Sequence, residues 1–215
     1  MALFDFPTLL AYLAAATVLV LIPGPGTAWI VAQTIAGGTR RGLRAGLGLE
    51  TATLIHAIAA GLGLSALLAA SALAFEVLKY AGAAYLVWLG LKAWRETGAT
   101  QATSDTALPT AAREDRHVYL RSVLTGVLNP KVAVFFLAFL PQFVHPEHGL
   151  VWLQFLLLGV LLSLIGFCNS SMLAFTIGRF GRRLSGKPGV ARWRQRLIGT
   201  VFVGLGLRLA LQQRP

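Results

Sequence analysis

"LIPGPGTAWI", Leu21 to Ile30, lies inside a charge-free stretch that runs from Phe6 to Thr39. Prolines and glycines alternate at Pro23-Gly24-Pro25-Gly26, in a segment otherwise apolar enough to cross a bilayer. The prolines remove amide donors, and their rings clash with carbonyls one turn earlier. The freed carbonyls, and the amides that open the next helix, need partners that lipid does not offer. A break here must face protein or a wet cavity. It is either a kink used for packing or a polar site built from backbone, and what the rest of the chain sets opposite it decides between them.

The 215 residues are 56% hydrophobic and only 13% charged, with a mean hydropathy of +0.68. A soluble domain carries roughly 45–50% apolar and about 25% charged residues. Further charge-free runs extend from Thr51 to Phe75 and from His148 to Gly178. Each exceeds the roughly 20 residues that cross the hydrocarbon layer. The pattern predicts an all-α polytopic membrane protein with six transmembrane helices at 6–36, 43–70, 74–95, 118–143, 148–178 and 195–213. The amino-terminal "MALFDFPTLL" has Asp5 in place of a basic leader, so the first segment is expected to be retained.

The net charge of +11 has an origin in topology. With six spans, the loops after spans one, three and five hold 15 of the Lys and Arg residues, and the opposite side holds 3. The positive-inside bias then places both termini outside the cytoplasm, whereas a five-span count would place the amino terminus inside. No soluble domain presents the basic runs, so nucleic acid is not an expected partner. The polar stretch from Thr97 to Ala112 reads as a flexible cytoplasmic linker. It divides the chain into a three-helix unit at 1–96, a linker at 97–116 and a second three-helix unit at 117–215. "GAAYLVWLGLKAW" from Gly82 and "GTVFVGLGLRLAL" from Gly199 are similar, and an odd number of spans per unit inverts the second relative to the first.

Span four carries its own break. Asn129 is a good N-cap, Pro130 suits the first helical position, and Lys131 adds a charge inside an apolar region. An intramembrane charge costs at least about 2.5 kcal/mol, so Lys131 should face the interior or snorkel to an interface. One break per unit, at corresponding spans, points to a substrate site at the bilayer midplane made from Pro23, Gly24, Pro25, Gly26, Asn129, Pro130 and Lys131. In span two, Gly46, Glu50, Thr53, Ala57 and Gly61 recur at helical spacing as a small, partly polar stripe. Glu50 is a candidate to carry a coupling proton, to pair with Lys131, or to pair with Arg44 near the interface. His56, Thr53, Gln33 and Asn169 are candidate polar lining groups or helix-bridging hydrogen bonders.

Other chemistries find little support. Cys168 is the only cysteine, which rules out an intramolecular dithiol relay, and its expected role is that of a small buried hydrophobe. HExxH and GxSxG motifs and paired aspartates are missing, so no enzyme is expected. His145, Glu147 and His148 crowd a short loop beside Pro146, and neither a metal nor any other cofactor is expected. A channel, or an exporter of a metal ion or another small solute, remains open on these residues.

The ordered blocks "PGPG", "RRGLRAGLG", "LKYAGAAYLVWLGLKAWR" and "GVLNPKVAVFFLAFLPQFV" resemble the LysE/RhtB family of amino-acid exporters. The resemblance runs through most of the chain. It implies a protein of the bacterial inner membrane that exports amino acids or related metabolites, driven by the proton gradient, with a homodimer left open. It also implies that the breaks at Pro23-Gly24-Pro25 and Asn129-Pro130-Lys131 are the family's signature motifs, and that His56 falls where a histidine is frequent. Many members carry an acidic or amide residue after the second proline, where this chain has Gly26. The resemblance therefore suggests that Glu50 supplies from span two a charge that relatives place in span one.

Overall fold

A computed structural model of the chain describes residues 3–70, 77, 80, 84, 87, 88, 91 and 117–180. No strand occurs among them. The expected linker, the sixth span, most of span three and the expected Glu76–Lys79 ion pair lie outside the described residues.

Helix α1, Phe6–Leu21, starts where Asp5 accepts a hydrogen bond from the Thr8 amide at 3.3 Å and Pro7 occupies the first turn. Hydrogen bonding by Thr8 holds the Asp5 carboxyl below its ordinary range, so the cap stays ionised. The helix stops at Ile22, whose backbone is extended. Pro25 then opens α2, Pro25–Ala70, which is two helical limbs joined at Gly37 and Gly38. Gly38 has φ 75° and ψ −176°, a region essentially reserved for glycine. Gly38→Ala should therefore cost about 1–3 kcal/mol, read as a lower melting temperature of the purified protein. The limb at 25–36 falls in the stretch expected as span one, and the limb at 39–70 covers the stretch expected as span two.

Helix α3, Val118–Val127, ends at Leu128, and Asn129 caps the five-residue α4, Pro130–Val134. A π-helical turn, Phe135–Phe139, and a 3₁₀ turn, Leu140–Phe143, complete this arm, which is bent by 47° at its break. Helix α5, Val151–Phe180, follows a 3₁₀ turn at Pro146–His148. By length and composition α2 and α5 can each cross a bilayer, and so can the bent arm taken as one unit. α1, at 16 residues, is too short to do so alone.

The long limb of α2 runs antiparallel to α5, and small residues hold them close. Gly178 lies against Thr39, Gly42 against Ala174, Gly46 against Ser170, Gly159 against Ala57 and Gly61 against Phe155. Each step up α2 matches a similar step down α5, so a continuous seam forms. The expected stripe of span two is this seam: Gly46, Thr53, Ala57 and Gly61 are buried, while Leu47, Ile58 and Leu62 face outward. Without a hydrophobic drive between helices in lipid, close backbone approach is what holds such a pair.

Packing differs on either side of the breaks. Beyond them, Tyr12, Phe135, Phe136, Phe139 and Phe155 form a dense aromatic core with Leu158. The Tyr12 hydroxyl donates to the Leu158 carbonyl at 2.5 Å. Toward the Gly37–Gly38 end, the Trp29 indole donates to Ser122 Oγ at 2.7 Å, which ties the short limb of α2 to α3. Two expectations change here. Cys168 is exposed among the described residues, because the α5 face that meets α2 carries Gly166, Ser170 and Ala174 instead. Arg41, expected in a loop, is 3% exposed, tucked under the glycine turn with its Nε donating to Gln33 Oε1 at 2.8 Å.

Candidate functional site

The two breaks meet. α1 ends with unsatisfied carbonyls, the negative pole of its dipole. The Lys131 ammonium reaches across from the other break and donates to the Ile22 carbonyl at 2.7 Å. Added methyl groups show how close the chains run. One at Gly24 would lie 3.5 Å from Lys131 Cδ, and one at Gly26 would lie 3.9 Å from Asn129 Nδ2. A cation thus sits at the carboxyl end of one half-helix and, through its own backbone, at the amino end of another.

Asn129 organises the second break. Its side chain accepts from the Lys131 amide at 3.1 Å, and its carbonyl accepts from Val132 and Ala133 at 3.2 and 3.1 Å. The first amides of α4 are therefore already occupied. With those amides taken, the group at this break that is suited to hold a carboxylate is the Lys131 ammonium. Pro130 is itself exposed and serves to start the turn.

Glu50 belongs to the same layer. Its neighbour Leu49 lies 3.4 Å from a methyl placed at Gly26, and Leu49 also packs on Gly126, just before the second break. Glu50 is about 18 Å along the helix from Gly38. Its carboxyl rests directly against Gly166 of α5, with Thr53 as its hydrogen-bonding neighbour. Thr53 also donates to the Leu49 carbonyl at 3.2 Å. The alternative that Glu50 pairs with Lys131 is not realised: the Lys131 ammonium is bonded to Ile22 and the Glu50 carboxyl faces Gly166, on a different helix.

The remaining candidates spread out. His56 stacks on Phe136 of the π-helical turn, with ring centroids 5.9 Å apart, and its Nε2 is buried without a hydrogen-bond partner among the described residues. Asn169 lies half-buried on α5, one turn from Gly166. Gln33 is taken by Arg41 at the glycine turn, roughly 12 Å along its limb from Pro25. An open groove of about 330 Å³ lies along His117, Leu120, Arg121 and Leu124, on α3 rather than between the breaks. Among the described residues, no group of three or more His, Cys, Asp or Glu side chains could hold a metal ion. Sequence reasoning missed Arg41 and Gly166. The adjacent glycines at 37 and 38 signalled the turn that buries Arg41, whereas nothing local marks Gly166 as the neighbour of a carboxylate.

The model of the LysE type translocator family matches residues 17–213, nearly the whole chain and both breaks. The chain belongs to the LysE type translocator family. Like the family, it is a membrane transporter and not an enzyme. It is 34% identical over 200 residues to the homoserine/homoserine lactone efflux protein of Salmonella typhimurium, covering 93% of this chain and 94% of that one. Identity to the leucine efflux protein of Klebsiella pneumoniae is 30% over 204 residues, with 95% of each chain covered. An uncharacterized membrane protein of Vibrio cholerae is 38% identical over 210 residues, covering 96% and 98% of the two chains. No solved structure matches this LysE type translocator.

Proposed function

We propose that this chain is a secondary active exporter of small neutral amino acids across the bacterial inner membrane, driven by the proton gradient. The observation that carries the reading is the Lys131–Ile22 bond, which joins the two helix breaks into one polar locus within an apolar bundle. A bare carbonyl is a weak partner for an ammonium, and a substrate carboxylate is a stronger one. Substrate binding draws Lys131 away from Ile22. The released carbonyls near Pro23 and Pro25 then accept hydrogen bonds from the substrate ammonium. Glu50, in the same layer, carries the coupling proton.

Two inverted three-helix units at 1–96 and 117–215, joined by the linker at 97–116, rock about this locus and expose it to each side in turn. Both termini lie outside the cytoplasm in this reading. The relatives named for homoserine and leucine efflux favour substrates with uncharged side chains.

The test is transport by purified protein in lipid vesicles loaded with labelled leucine or homoserine. Under an imposed proton gradient, label is expected to move against its concentration gradient, and an uncoupler is expected to stop that movement. Flux that only equalises concentrations and ignores the uncoupler would indicate a channel.

A further inference from the structure

The seam between α2 and α5 is built from small residues, yet at one level α2 contributes a glutamate. We infer that Gly166 is the positioning residue for Glu50, holding its carboxyl in the layer of the two breaks. The inference rests on the proposed coupling role of Glu50.

Every other close contact along the seam joins small groups or an apolar side chain. At Gly166 the added methyl would instead stand 2.5 and 2.6 Å from the two carboxyl oxygens and 2.7 Å from their carbon, with no other group as near. Contacts that short force the carboxyl to move. It is the far end of a flexible side chain, so it yields before the α5 backbone does. Gly166 therefore fixes where the carboxyl sits, and packing of the two helices is a secondary result. Thr53, three residues on along α2, is the polar neighbour of the carboxyl within this seat. The proton binds a carboxylate oxygen at the seam and leaves from the same atom, with no other reactant involved.

Infrared pH titration of the purified full chain in lipid reads the seat without any substrate. The protonated-carboxyl band of Glu50 is assigned by its loss in Glu50→Gln. In Gly166→Ala the midpoint of that band is expected to move by about one pH unit, a tenfold change in proton affinity. Adding Glu50→Asp, one methylene shorter, should restore a midpoint near the original. If Gly166→Ala fails to reach the membrane, recovery of the protein by Glu50→Asp supports the seat, and no recovery overturns it. A Gly166→Ala protein with an unmoved midpoint also overturns it, because a purely structural glycine would alter stability alone. Persistence of gradient-driven export in Glu50→Gln is a separate result: it removes the coupling role and leaves the seat standing.

Discussion

Methionine in place of Lys131 should leave the protein in the membrane and lower amino-acid export about a hundredfold. Methionine approximates the apolar stem of lysine and removes the ammonium with its charge and its hydrogen-bond donors. Truncating one partner of a buried, hydrogen-bonded charge pair costs ~2–5 kcal/mol, and 2.7 kcal/mol is roughly a hundredfold. The loss should appear in the substrate concentration for half-maximal export as well as in the rate, because the ammonium both holds the carboxylate and links the two breaks.

Stability should move the other way or hardly at all. The bond to Ile22 contributes about 1.5–3 kcal/mol to the fold, while inserting the charge costs about 2.5 kcal/mol or more. Thermal unfolding and transport measured on the same preparation separate the effects. A methionine variant that melts early and exports normally once folded would place Lys131 among the packing residues. Arginine is not expected to rescue, because its planar fork is wider than the ammonium that fits beside Gly24.

Much of this arrangement is legible in the chain. Proline inside a charge-free run has few physical outcomes, so both breaks occur where Pro23, Pro25 and Pro130 predict them. Helical spacing likewise places Gly46, Glu50 and Gly61 on one inward face. What the chain does not reveal is which groups meet across helices. Periodicity states that Glu50 points inward, yet its neighbour is set by the register of α2 on α5, a property of two helices together. The same holds for Lys131, which finds a carbonyl on α1 rather than the carboxylate of Glu50. Arg41 shows the third limit: counted with its loop, it is drawn inward by a turn that two glycines permit and Gln33 completes.

Glutamine at Glu50 should abolish uphill export while substrate exchange continues. The amide matches the carboxylate in volume, so the seat at Gly166 stays filled and the seam stays closed. It cannot alternate between charged and neutral forms, so transport no longer includes a proton. One elementary charge moving down 100 mV contributes ~2.3 kcal/mol, equivalent to a concentration ratio of roughly fortyfold. In vesicles with that driving force, accumulation should collapse from about that ratio toward unity. Label added to one side of the variant should still exchange with unlabelled substrate on the other, because Lys131 and the breaks are intact. Loss of both activities would instead assign Glu50 to substrate binding, as the partner of the ammonium. Retention of both would remove the carboxylate from the cycle, and the force that drives export would have to enter through another group in the same layer.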